Sequence, residues 1–538
     1  MKSRYLAIVL ACFAAACKTV QTADTGIVSG APYDLIIEHG KIVDGSGNAW
    51  FYGDVGIRGD RIARVAPAGM LARAAATKRI DATNLVVAPG FIDIQSHSRE
   101  PFLTGDGRVV SKITQGITTE IMGEGWTNAP ANALTQSADG SVDHSAHAPP
   151  EFSGEHGFAK WLDAMQRHGT SANFGSFIGA TTVRMYAKGA AQGAATPAEL
   201  DTMRAVVRNG MRDGAFGVAS ALIYPPGTFA STEELIEEAK AMSPYGGVYI
   251  SHMRSEADDY LQAIDELLRI GKEGHVPVEI YHLKAAGVRN WTKAPQAIAK
   301  IDSARAAGQD VGADMYVWTA GGTGLSACLP PWASADGKLL SNLKDPATRA
   351  KIRGEVLTER TAWENLCQLA TPQGVMIVGF QTPELKAFEG KRLTEVAQAQ
   401  NKEWVDALID LTLAEQGRLG AMYFLMSEEN IELQMKQPWM KFGTDAGGMD
   451  PDSTKAMVHP RSYANYPRIL GHYVRDRKVI PLEDAVRKMS AAVAERLSIA
   501  DRGLLREGMF ADVVVFDPAT VADRSTYQQP HQLSAGVR

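Results

Sequence analysis

The sequence predicts an α/β chain whose main body is a (β/α)8 barrel, with a small β-sandwich domain built from both chain ends. Three observations lead there. Eight short apolar runs recur, at 86–94, 118–123, 172–178, 216–219, 248–251, 278–281, 311–316 and 440–444, separated by stretches that can hold helices. The runs are nearly continuous in apolar residues, as parallel strands buried on both faces are. Shorter alternating segments lie before the series, at 33–66, and after it, at 508–517, each with the period of two that a half-buried strand shows. An open doubly wound sheet fits the same alternation.

The elements follow in order. Residues 1–17 read as an export signal: Lys2 and Arg4 precede an apolar run at 5–16, too short to span a bilayer. That run ends Ala14-Ala15-Ala16-Cys17, which resembles a bacterial lipobox and would place a lipid anchor on Cys17. The expected location is the periplasm or cell envelope, with the membrane touched only through that anchor. Residues 18–31 form a linker and 32–85 the N-terminal part of the sandwich, with turns at Asp44-Gly45-Ser46-Gly47 and Gly59-Asp60. The barrel is expected over 86–500. Segments 232–242 and 258–270 carry apolar residues at helical spacing on its outside. A long gap between the last two runs, 319–438, reads as an insertion shaping the pocket. The segment 501–538 returns to the sandwich.

Composition narrows the function. With 45% hydrophobic and 22% charged residues the chain is an ordinary globular protein. A net charge of −6 and the absence of a Lys/Arg-rich stretch exclude a nucleic-acid partner. Of the four cysteines, Cys12 and Cys17 fall in the export segment. Cys328 and Cys367 read more naturally as buried apolar side chains than as a disulfide, although they could pair.

The chemistry sits at the strand ends. In a barrel, the C-terminal ends of the strands face the active site. Among the twelve histidines, His97, His252 and His282 end apolar runs, and Glu124 and Asp445 end two others. Singly, such residues serve as hydrogen-bonded core groups, turn formers or helix caps. Together, imidazoles and carboxylates suit zinc, which takes nitrogen and oxygen ligands and leaves a position open in catalytic sites.

At these residues the chain resembles the D-aminoacylase (N-acyl-D-amino-acid deacylase) branch of the amidohydrolase superfamily. The resemblance rests on Val86-Val87-Ala88-Pro89-Gly90-Phe91-Ile92-Asp93, Tyr224-Pro225-Pro226-Gly227 and Ser251-His252-Met253-Arg254-Ser255-Glu256. His282-Leu283-Lys284, Asp314-Met315-Tyr316, Gly443-Thr444-Asp445 and the strand from Ala511 to Asp517 complete it. It implies that His252 and His282 hold a tightly bound zinc, that Asp445 is the general base and acid, and that Lys284, Tyr224 and Tyr316 hold the carboxylate of a small N-acyl amino acid. Arg254 would assist, or form a salt bridge instead. The family would continue past Arg538 with another sandwich strand, so the C-terminal part reads as truncated.

The chain also departs from the pattern. The first strand ends Gln95-Ser96-His97 where the superfamily has His-x-His, so His97 would hold a second metal only weakly or not at all. The family's cysteine ligand is absent, and Glu124 in Gly123-Glu124-Gly125 stands as its substitute, able to bind one metal or bridge two. Gly322 lies where the family often has a substrate-binding serine. The expected reaction is amide hydrolysis by zinc-activated hydroxide, with Asp445 taking the water's proton and returning it to the leaving amine. A dipeptidase, a cyclic amidase or a non-catalytic ligand-binding envelope lipoprotein are the rival readings.

Overall fold

The computed structural model describes residues 32–136 and 148–538; the export signal, the anchor at Cys17 and the linker at 18–31 lie outside them. The barrel strands are Phe91–Asp93, Ile117–Met122, Asn173–Ser176 continuing as Ile178–Gly179, Gly217–Ala221, Val248–His252, Val278–Ile280, Val311–Met315 and Met440–Phe442. All neighbours pair in parallel, with registers such as Thr119↔Asn173, Ser220↔Ser251 and Asp314↔Lys441. The ring closes between the eighth strand and the first, where Asp445 N–H donates to the Gln95 carbonyl at 2.8 Å and Ser96 bridges Ala446. The fold is a closed (β/α)8 barrel, and the open doubly wound sheet is set aside.

Inward residues Ile92, Ile94, Ile121, Phe177, Ala219, Val248 and Ile250 fill the barrel together with Val493 and Ala494. Outside, helices cover the strands for readable reasons. Pro197–Arg212 starts with a capping box between Thr196 and Glu199, and Ser231 caps Thr232–Met242 through Glu234 N–H. Tyr260–Gly274 buries Ala263, Ile264, Leu267 and Ile270, the stripe its spacing foretells. Among the described residues, no helix is long and apolar enough to cross a membrane.

The small domain is one six-stranded sheet. Its long strand Tyr33–Ile42 pairs antiparallel with Phe51–Arg58, and in parallel with both Ala76–Asp81 and Val86–Pro89. The C-terminal strand Val513–Phe516 adds to Val86–Pro89, so both chain ends share the sheet. Ile36 and Ile37 fall in different apolar clusters, which shows the sheet to be covered on both faces.

Between the seventh and eighth barrel strands, an antiparallel sheet of Ala320–Gly324, Gly420–Phe424 and Val375–Val378 carries several helices over it. It has its own core, including Leu343, Ile352, Val356, Ile377 and Leu408. Here the reading of the cysteines needs correcting: Cys328 and Cys367 are buried, as apolar side chains would be, but they are joined in a disulfide 39 residues apart.

Candidate metal centre

Each ligand candidate is aimed by the backbone at the end of its strand. Glu124 sits in a turn between Gly123 (φ +112°) and Gly125 (φ +64°). A Cβ at Gly123 would lie 2.4 Å from the Phe177 carbonyl, so the turn needs glycine there. His282 (φ +34°) and Asp445 (φ +50°) occupy the left-handed region as non-glycine residues. Such conformations persist where the surroundings over-determine them and cluster at functional sites. His282 N–H is held by Asp314 Oδ1 at 2.9 Å and Asp445 N–H by Gln95.

Glu124, His252 and His282 bring ligand atoms within 4.8 Å of one another, and so do His97, Glu124 and Asp445. Glu124 is common to both groups. Its Oε1 lies 3.2 Å from His252 Nδ1 and 3.4 Å from His282 Nε2. Its Oε2 lies 3.4 Å from His97 Nε2, which in turn is 3.0 Å from Asp445 Oδ1. The two imidazoles meet edge to face, with centroids 4.5 Å apart. Gln95 Nε2 donates to Glu124 Oε2, the carboxylate oxygen that also faces His97.

The far nitrogens of both imidazoles face Glu256, with Oε1 2.9 Å from His282 Nδ1 and Oε2 3.6 Å from His252 Nε2. Lys284 Nζ completes this cluster at 2.6 Å from Glu256 Oε1. Asp445 has a cation of its own, Arg461 Nη1 at 2.6 Å from Oδ2.

Burial by itself would depress His97 and His282, but the carboxylates around them win. Asp445 and Glu124 raise His97 to about 9, and Glu256, Asp445 and Glu124 raise His282 to about 10 despite nearby Lys284. Glu124 is driven well below its ordinary range because hydrogen bonds from His252, His282 and His97 outweigh its burial. A buried carboxylate shared by three imidazoles is a place where positive charge is stabilised, whether carried by protons on the rings or by a metal ion in their place. A divalent ion bound by two ring nitrogens and a carboxylate oxygen supplies that charge, and the donor set fits zinc.

His97, Glu124, Tyr224, His252, His282, Lys284, Tyr316 and Asp445 all line one cavity of about 290 Å³. Arg254 does not. Its guanidinium turns away to a two-pronged pair with Glu266 and to the carbonyls of Thr228 and Ala230, so the salt-bridge alternative replaces its substrate role. Sequence reasoning missed Arg461, which is buried and lies 4.6 Å from the Tyr316 ring centre. It ends no strand, and only the fold brings it to Asp445. It also passed over the role of Glu256, four residues after His252 in a patch already singled out.

An amidohydrolase family model matches residues 406–538. The D-aminoacylase of Alcaligenes xylosoxydans xylosoxydans is 35% identical over 94% of this chain and 92% of its own. A solved D-aminoacylase with a binuclear metal centre, characterised by one-metal activation and second-metal attenuation, superposes with TM-score 0.77 at 32% identity, covering 94% of both chains. The N-acyl-D-glutamate deacylase of Bordetella bronchiseptica, complexed with zinc and a phosphonate mimic of the tetrahedral intermediate, gives TM-score 0.78 at 28% identity, covering 94% of this chain and 95% of that one. The protein is an enzyme, and it belongs to the D-aminoacylase (N-acyl-D-amino-acid deacylase) branch of the amidohydrolase superfamily.

Proposed function

We propose that the protein is a zinc-dependent deacylase that hydrolyses the amide bond of N-acyl-D-amino acids. The observation that carries this reading is the shared carboxylate, with Glu124 facing His252 and His282 through one oxygen and the His97–Asp445 pair through the other. Zinc held by His252, His282 and Glu124 would lower the pKa of water toward about 7 and polarise a carbonyl.

The protein's own groups do the rest. Asp445 Oδ1 takes the proton of the attacking water, and Arg461 on the other oxygen keeps the carboxylate ionised beforehand. Water oxygen bonds to the carbonyl carbon, the C–N bond breaks, and Asp445 hands its proton to the departing nitrogen. Lys284, Tyr316 and Tyr224, now joined by Arg461, hold the free carboxylate of the substrate. The products are a carboxylate and a D-amino acid.

One zinc binds tightly in this reading, and the second position, at His97 and Asp445, is weak because Gln95 supplies an amide where an imidazole would ligate. The solved D-aminoacylase, activated by one metal and attenuated by a second, supports that reading. The Cys328–Cys367 disulfide favours export, since such bonds persist in oxidising compartments; the lipid anchor on Cys17 rests on the sequence alone.

Metal analysis of wild type beside Glu124→Ala tests the centre. About one zinc per chain is expected in wild type, with most of it lost in the variant; full retention would remove Glu124 from the ligands. N-acetyl-D-amino acids run against dipeptides and cyclic imides test the substrate. Preference for either of the latter would replace the deacylase reading by one of its rivals.

A further inference from the structure

One end of the small domain's sheet is apolar and open to water. Among the described residues nine large apolar side chains are exposed, and four of them meet there: Trp50 (39%), Phe51 (40%), Tyr52 (59%) and Met70 (62%). Single exposed apolar residues are ordinary, but a cluster marks a surface that meets something. Backbone pairing joins the two segments that carry it. Phe51 and Tyr52 stand opposite Ile42 and Lys41, Gly53 stands opposite Pro67, and Ala68 N–H donates to the Tyr52 carbonyl at 3.1 Å. All ten residues at 47–52 and 67–70 are exposed, and none of them is charged.

The chemistry of this tip suits a lipid–water boundary. Trp50 and Tyr52 meet edge to face with ring centres 5.1 Å apart, and Lys41 Nζ lies 4.2 Å from the Trp50 ring centre. Tryptophan and tyrosine collect at the headgroup level of membranes because each ring is apolar at one end and polar at the other. A lysine beside them lays its stem along apolar surface and offers its ammonium to anionic headgroups. The carboxylates that flank Trp50 in sequence are committed within the domain. Asp44 accepts from Ser46 N–H and Oγ, and buried Asp54 accepts from the N–H groups of His39 and Leu71.

The export reading supplies a tether. Fifteen residues separate Cys17 from Tyr33, enough to reach about 50 Å when extended. Tyr33 begins the ten-residue strand whose other end, Ile42, pairs with Phe51, and that strand is about 30 Å long. A lipid on Cys17 therefore leaves the tip within reach of the bilayer that holds it. Tethering raises the effective concentration of the surface, so a weak contact suffices.

We propose that the tip formed by Trp50, Phe51, Tyr52 and Met70 inserts into the headgroup layer of an anionic phospholipid membrane, a contact beyond the anchor that fixes how the barrel sits on the surface. This docking rests on the export-and-anchor reading above, in which the lipid supplies attachment and the tip supplies orientation.

The test uses the full chain as its host processes it, reconstituted into vesicles of phosphatidylethanolamine and phosphatidylglycerol. A nitroxide label is placed on Met70→Cys and, for reference, on Val288→Cys, which is exposed on the barrel. Collision with a water-soluble nickel complex is expected to be at least about 5-fold slower for Met70→Cys, since interfacial groups lie roughly 5–10 Å below the surface. Equal rates overturn the proposal. Slowed collision for Met70→Cys without vesicles, together with a doubled mass, assigns the tip to a second copy and overturns it as well. Mass spectrometry of the N-terminus reads the anchor separately. If Cys17 carries no lipid, the anchor falls, and sedimentation of the same protein with the vesicles decides the tip. Binding that drops at least about 10-fold when Trp50→Ser and Tyr52→Ser are combined supports it; no binding by wild type, or equal binding by the double variant, overturns it.

Discussion

Lys112 Nζ lies 2.6 Å from Thr444 Oγ1, one residue before the general base proposed here, although its helix follows the first strand and Thr444 follows the last. The ammonium is fully buried and also reaches Asp93 Oδ2 at 2.6 Å and the Ala446 carbonyl at 2.7 Å. It therefore grips both neighbours of Asp445, whose left-handed backbone requires restraint.

Replacing Lys112 by methionine is expected to leave Asp93 buried without its charge partner, at a cost of about 3 kcal/mol. Turnover should fall further than the loss of folded protein explains, because Asp445 loses its support. Denaturant midpoints and kcat per folded molecule check the two effects, and unchanged kcat in the folded fraction would reduce Lys112 to a stability residue.

Glu256 orients both imidazoles from behind. Glu256→Gln should weaken zinc binding by about 10- to 100-fold, the usual range for a group that holds a metal ligand in place. Competition with a chromogenic chelator measures this directly. Zinc affinity equal to wild type would show that the strands alone position the rings.

Gln95→His restores an imidazole at the first-strand position whose amide now bonds Glu124. Metal content should rise from about one toward about two zinc ions per chain, since His97, Asp445 and the shared Glu124 oxygen already converge there. Metal analysis after dialysis decides it; a value that stays near one would mean that Gln95 is not what keeps the second position weak.

Away from the centre, Glu238 gives the protein a pH dependence. Burial pushes its carboxyl well above the usual 4.5, Glu234 adds to the rise, and Arg184 only partly offsets it. Neither oxygen has a hydrogen-bond partner among the described residues. The folded state thus keeps a proton that the unfolded chain releases near pH 4.5, so stability contributed here is lost as pH rises above that value. Glu238→Gln should match wild type near pH 4 and exceed it by about 2 kcal/mol at pH 8. Urea midpoints across that range measure the gap, and a constant difference would overturn the assignment.

The barrel was legible because buried parallel strands write themselves as apolar runs, and because the residue ending each run must face the mouth. His97, Glu124, His252, His282 and Asp445 could be named from that rule alone. Arg254 shows its limit. It follows a strand end, yet the direction of a long side chain depends on what its neighbours offer, and Glu266 offered two oxygens. Arg461 stands in a segment with no periodic signal, sixteen residues beyond Asp445 in sequence, so only folding reveals the pair. The disulfide was equally hidden, since apolar burial and cross-linking ask for the same surroundings.

That disulfide fastens the roof of the catalytic chamber. Cys367 adjoins Leu366, and Cys328 follows the strand carrying Gly321 and Gly322, so a single covalent tie spans two stretches of the same wall. Tyr423 braces the join, its hydroxyl 2.9 Å from the Gly324 carbonyl. Enzyme produced where thiols stay reduced will keep its barrel and its ligand set but carry a looser ceiling. Batches from reducing and oxidising hosts will therefore diverge in KM more than in kcat, and oxidation state becomes something to record before any two preparations are compared.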